Sequence, residues 1–281
     1  MFVAVLSGTV VGPSVATGKS CVWKVTAPGG QTLFLAGSAH AMRSTDYPLP
    51  LAFNRAFELS QCVAMEIDLN AGQTINEKIE QAGRYPSGDS LARHIDPRTY
   101  AYLQRAAGKY PGGMEKLLRL RPWYISIQLE GSGGQGFSHR LGLESYFSGR
   151  ARATARPVYG LESLNEHVLV FSGLNDRESE AQLLVSFIGL NKEDEYARKT
   201  MQAWHAGDID TLYRLTRESY RDFPSMFERL VPARNRAWIA RIEGWIKSGR
   251  TYFVMPGAAH LGGPDGVLAL LRARGYTIEQ W

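Results

Sequence analysis

The sequence predicts an α/β protein: a mixed, partly parallel central sheet formed by N- and C-terminal strands, with a long helical middle inserted between them. Three observations carry this prediction. Short apolar runs of strand length, bounded by Gly, Pro or acidic residues, gather near the two ends of the chain. From about residue 74 the apolar spacing turns helical, and residues 74–150 and 163–248 read as mainly helix. The closing stretch RTYFVMPGAAHLGGPDGVLALLRARGYTIEQW reads as strand, turn, helix, glycine stop and strand, a unit that feeds a partly parallel sheet. The 281 residues are ample for a full core and are read as a single domain.

The elements follow in order. MFVAVLSGTVVGPSVA is apolar and ends in small residues, like the core and cleavage site of an export signal, but it lacks the basic leading region. Residues 1–20 therefore read either as the remnant of such a signal or as a plain first strand. VWKVT (22–26) and TLFLA (32–36) flank APGG, a Pro-Gly turn signal, and form a predicted β-hairpin. LPLAFNRAFELSQ carries apolar residues at helical spacing, and CVAMEIDL after it is a short strand with an acidic end, Glu66 and Asp68. The helix-sized segments TINEKIEQAG, DPRTYAYLQRAAGKY, GGMEKLLRLRPWYISIQLE and GLESYFSGRARAT are separated by Gly or Pro. Asp96 before Pro97 marks a capped helix start. RPVYGLES supplies one more strand with a polar exit at Glu162. NDRESEAQLLVSFIGLNKEDEYARKTMQAWHAG is a long amphipathic helix broken at GLN, and PARNRAWIARIEGWIKSG is another, stopped by Gly249.

Composition removes several classes of function. At 44% hydrophobic and 21% charged, without low-complexity tracts, the chain is globular rather than disordered. The net charge of +5 comes from scattered Arg and Lys, not from a basic element, so no nucleic-acid partner is expected. No apolar stretch approaches the roughly 20 residues that span a bilayer. Cys21 and Cys62 are read as buried thiols, and a disulfide between them is open only to an exported protein. GPSVATGKS fails as a phosphate loop, because five residues separate Gly12 from Gly18 and a strand follows where a helix is needed. GSGGQG, with Gly131, Gly133 and Gly136, has no strand-helix-strand unit around it and reads as a loop between helices. Neither a G-x-S-x-G elbow nor an H-E-x-x-H helix is present.

One pattern survives. TLFLAGSAH and TYFVMPGAAH each pair a strand-like run with a Gly-x-x-His turn, Gly37 to His40 and Gly257 to His260. Functional groups of open α/β sheets sit at the carboxyl ends of strands, and His40, Glu66 and His260 hold such positions. Two imidazoles and a carboxylate make a divalent-metal site suited to Zn, Mn, Fe or Co. Each glycine is expected to let the backbone bend sharply off its strand, and Ser38, Ala39, Ala258 and Ala259 to leave room for the imidazole. A metal held there acidifies water and polarises a carbonyl, which permits hydrolysis without a nucleophilic side chain. Glu162, at another strand exit, is either a further ligand, a group orienting an imidazole, or a cap for the next helix.

The residues also resemble the TraB/GumN family, which includes the Tiki-type membrane metalloproteases. The likeness runs through the first Gly-x-x-His turn with YPLP after it (Tyr47 to Pro50), then AMEIDL, LRPWYISI, GLESYF, RPVYGLES, QAWHAGDIDTL, ARNRAW and GAAHLGGPDGVLALLRARGY, nearly the whole chain. The resemblance implies a catalytic centre in which His40 and His260 hold a divalent metal, Mn or Co rather than Zn, with Glu66 as ligand or general base. Arg234 and Asn235 match polar residues that the family keeps, and there they are expected to hold a developing oxyanion or a substrate carboxylate. Asp68, Glu144 and Glu162 are expected around the ligands; Glu144 stands where relatives usually carry Asp, and Ala233 where many carry Glu. The implied function is a metal-dependent hydrolase of peptidase or amidase type, acting on a peptide or other small polar substrate and exported to the periplasm. The alternative is a non-catalytic protein of the same fold that binds a peptide, a polysaccharide or haem.

Overall fold

Residues 19–68, 72–106, 113–131, 136–191 and 193–281 are described by a computed structural model of the chain. The readings placed on residues 1–18, Gly12 and Gly18 included, and on Gly133 lie outside the described residues. Val22–Thr26 (β1) and Thr32–Ala36 (β2) form the expected hairpin. Gly30 closes its turn at φ 84°, a left-handed conformation that glycine adopts without a steric penalty. Cys62–Met65 (β3), Val158–Gly160 (β4), Tyr252–Met255 (β5) and Thr277–Gln280 (β6) complete one sheet in the order β4-β3-β5-β2-β1-β6.

The four strands β4, β3, β5 and β2 run parallel. Every residue of β3 and β5 is buried, the mark of strands covered on both faces, and their sequences CVAM and YFVM are continuous apolar runs for that reason. β1 and β6 add to one edge antiparallel, and β6 alternates between exposed and half-buried residues as an edge strand does. The closing strand-helix-strand unit does not pair with itself: β2 and β3 already occupy both sides of β5, so the chain crosses over β2 and β1 before β6 finds a free edge.

Between the strands lie α1 (Leu51–Glu58), α2 (Gly72–Gly83), α3 (Pro97–Ala106), α4 (Gly113–Leu117), α5 (Pro122–Gly131) and α6 (Leu143–Ala153). After β4 come α7 (Leu164–Ser172), α8 (Asp176–Asn191), α9 (Glu193–His205), α10 (Ile209–Ser219), α11 (Pro224–Leu230) and α12 (Pro232–Lys247), with α13 (Val267–Arg272) before β6. The segment GGMEKLLRLRPWYISIQLE is two helices rather than one, since Pro122 cannot continue α4 but fits the first turn of α5. Asp96 accepts from the Arg98 N–H at the start of α3, and Gly249, at φ 75°, follows α12, both as expected.

The helical middle does not simply coat the sheet. It builds cores of its own, one around Leu103, Leu117, Leu120 and Leu183 and another around Trp123, Met226 and Phe227. The sheet is covered instead by Phe53 and Phe57 of α1, Phe147 of α6, Trp204 of α9 and Trp238, Ile239, Ile242 and Ile246 of α12. Cys21 and Cys62 are both buried and free. Cys62 is on β3 and Cys21 adjoins β1, three strand spacings away or about 14 Å, which is too far for a bridge. No helix among the described residues is long and apolar enough to cross a membrane.

Candidate functional site

Four parallel neighbours end on the same side of the sheet, so whatever follows each strand is brought together there. β4 leads to Glu162, β3 to Glu66, β5 to the turn with His260, and β2 to the turn with His40. Register does the rest. Ser38 bridges Gly257 in parallel, with the Ser38 N–H donating to the Pro256 carbonyl (2.8 Å) and the Ala258 N–H donating back to Ser38 (3.0 Å). The repeated turns are thus two halves of one structure.

The glycines serve a different purpose from the one expected. Gly257 has φ −52° and ψ 139°, which any residue adopts, and neither Gly37 nor Gly257 has a positive φ. Both are small because the space is taken. A methyl carbon on Gly37 would come within 2.9 Å of the Ala258 methyl, so the two turns can touch only without it. A methyl carbon on Gly257 would lie 3.2 Å from Glu66 Oε1, 3.2 Å from His40 Nε2 and 3.5 Å from His260 Cδ2. Glu66, His40 and His260 therefore surround one small spot that the missing side chain leaves open.

Both imidazoles reach that spot with Nδ1 tied behind them. Asn235 Nδ2 donates to the Asp265 carbonyl (2.9 Å), so its Oδ1 accepts from the Nδ1–H of His260 (2.6 Å), and the lone pair is left on His260 Nε2. His40 Nδ1 lies 2.6 Å from Glu144 Oε1, an oxygen that also accepts from the Ser38 hydroxyl. The same motif then titrates in opposite directions. The charge of Glu144 pushes the His40 pKa up, whereas burial lowers that of His260 to about 3. His40 keeps 59% of its side chain exposed; His260 is buried against Trp238, ring centroids 4.6 Å apart.

Arg234 organises the carboxylates. Its Nη2 donates to Glu66 Oε2 (2.5 Å) and Glu162 Oε1 (2.7 Å), and its Nε donates to Glu162 Oε2 (3.0 Å). Nη1 lies 3.3 Å from the Leu230 carbonyl and 3.4 Å from His260 Nε2. All five N–H groups are engaged, so none is left in this arrangement for a substrate oxyanion or carboxylate. Burial works against the charge on Glu66, but Arg234, the two histidines and the Gly257 N–H (2.9 Å to Oε1) outweigh it and hold the carboxyl well below its usual range. Burial likewise opposes the charge on Glu162; a hydrogen bond from His167 and the Arg234 guanidinium hold its pKa down.

Each residue singled out by sequence has a place. His40, Glu66 and His260 meet; Glu144 holds His40; Asn235 holds His260; and Glu162 binds Arg234, the Trp238 indole N–H (3.0 Å) and His167 (2.7 Å). Glu162 is not the helix cap, since Ser163 and Glu166 form a capping box at the start of α7. Asp68 is half-buried, its backbone N–H beside Gly160 at the exit of β4. The sequence reading did not include His167. The capping box in ESLNEH was the signal available, because it starts a helix at Leu164 and so turns His167 back toward Glu162.

The donor types fit a divalent ion: Glu66 Oε1, His40 Nε2 and the edge of the His260 ring border a spot that a side chain at 257 would fill, and His40 would have to give up its Nε2 proton to serve as a ligand. Two carboxylates, Glu66 and Glu162, share the Arg234 guanidinium, and the third, Glu144, faces His40. Of the Arg234 contacts, the long one to His260 Nε2 is the bond that such an ion would replace.

The chain matches the TraB/PrgY/gumN family over residues 21–280, nearly its whole length, and belongs to that family. No curated protein and no solved structure matches it.

Proposed function

We propose that this member of the TraB/PrgY/gumN family is a metal-dependent hydrolase of peptide or amide bonds, with His40, His260 and Glu66 as ligands of one divalent ion. The observation that supports the reading is the convergence of those three side chains on the space beside Gly257. The ligand types suit several ions; the preference for Mn or Co over Zn, and an exported, periplasmic setting, rest on the resemblance to the Tiki branch. When bound, the ion supplies an acidified water and a polarised substrate carbonyl.

The chain supplies the rest. Glu144 and Asn235 occupy the Nδ1 sides of the two rings, so the Nε2 atoms of His40 and His260 are the ones that would be offered to the ion. Arg234 takes Glu66 Oε2, which leaves Oε1 toward the centre as ligand or proton acceptor. His40, the exposed member, marks the side on which substrate enters.

The Arg234 contact to His260 Nε2 favours a second reading, a metal-free acid/base site. There His40 is the charged member and His260 the neutral one, two like groups whose pKa values are pushed apart by their surroundings. One experiment separates the readings: Mn, Co and Zn binding by calorimetry on wild type, His40→Ala and His260→Ala. One ion in the wild type, weakened at least about 100-fold by either change, is the expected result, and a peptide-library hydrolysis screen follows from it. Absence of binding to the wild type overturns the metal reading.

A further inference from the structure

We infer that Arg234 stands in a second cation site, formed by Glu66, Glu162 and His167, and that the guanidinium takes the place of a second metal ion there. One donor atom from each of the three side chains lies within 4.8 Å of the others, only a little beyond the span of two ligands held about 2.1 Å from one ion. They come from the end of β3, the end of β4 and the first turn of α7, and neither His40 nor His260 is among them.

The space between the two carboxylates holds a cation already, and His167 joins the group through its 2.7 Å contact with Glu162. Arg234 Nη2 is 2.5 Å from Glu66 and 2.7 Å from Glu162, and Arg234 is 10% exposed. A guanidinium keeps its proton at any pH that leaves the protein folded, and being part of the chain it is never lost to dilution or chelation. It gives one fixed charge where a divalent ion would give two, and it cannot polarise a substrate as a metal does.

Glu66 sits between the two places, Oε2 on Arg234 and Oε1 toward the space beside Gly257. A carboxylate so shared is what a two-metal centre uses, with its ions about 3.5–4 Å apart. Here the chain provides one of the two cations itself. Glu66 then stays ionised and aligned while the first place is empty.

The inference rests on the proposed function only for the ion beside Gly257, because the second site uses Glu162 and His167 instead of the two turn histidines. Its test is the number of Co ions bound per chain, by calorimetry and by metal analysis after desalting, in wild type, Arg234→Ala and the double variant Arg234→Ala with His167→Ala. Arg234→Ala is expected to bind one ion more than wild type, and the double variant to return to the wild-type number. An unchanged count in Arg234→Ala overturns the inference, as does an extra ion that survives the loss of His167.

Should Arg234→Ala fail to fold, with its carboxylates left facing each other, circular dichroism on adding Co decides. Recovery that requires His167 upholds the inference, and no recovery overturns it. The two readings fail separately. A wild type without an ion sinks the metal centre, yet leaves the second site standing if Arg234→Ala gains one; the reverse pattern does the opposite.

Discussion

Gly257 is where one added methyl separates structure from chemistry. Its backbone conformation accepts alanine, and the methyl would meet its nearest neighbours at 3.2 Å, so they must give by a few tenths of an ångström. Gly257→Ala is expected to fold with a loss of about 1 kcal/mol, measured by denaturant unfolding. The same methyl stands in the space assigned to the ion, so binding of Mn or Co should weaken at least about tenfold. An alanine variant that binds as well as wild type would move the centre elsewhere. His40 and His260 make the companion point: the spacing Gly-x-x-His is shared, yet one imidazole faces a carboxylate and open solvent while the other is enclosed beside an amide.

α12 carries both the core and the centre. Trp238, Ile239, Ile242 and Ile246 pack into the sheet's core, and the first turns of the same helix present Arg234 and Asn235 to the strand exits. Packing thus fixes the rotamers at the site, which is how a constellation is held to useful precision. Asn235 is fully buried and satisfied on both ends, by His260 and by the Asp265 carbonyl. Asn235→Ala leaves both partners unpaired, with an expected cost of about 1–3 kcal/mol and metal affinity reduced roughly 10–100-fold because the His260 ring is no longer held. Unfolding curves and calorimetry on the same preparation check the pair, and a variant that loses stability while keeping its affinity would reduce Asn235 to a packing role.

Stability of the metal-free protein should depend on acid in a predictable direction. Burial lowers the folded pKa of His260 from its ordinary 6.5 to about 3, and the Glu66 carboxyl is also held low. The unfolded chain takes up both protons at a higher pH than the folded one does, so stability rises with pH across that window and is lost as pH falls through it. Between about pH 6.5 and pH 5 the histidine alone should remove roughly 2 kcal/mol. Denaturant unfolding at the two pH values, on wild type and His260→Ala, tests this; equal slopes in both proteins would contradict it. Much of this arrangement is legible in the sequence. The strands, the turn glycines and the strand-end groups His40, Glu66, Glu162 and His260 follow from short apolar runs and the residues that stop them, because those signals are local. Tertiary structure alone decided that β5 lies between β3 and β2, which joins turns 220 positions apart into one site. It also decided that the glycines exist for space rather than for backbone freedom, that all five N–H groups of Arg234 are engaged, and that His167 meets Glu162. These depend on which atoms face one another across elements distant in sequence, and no local pattern of residues records that.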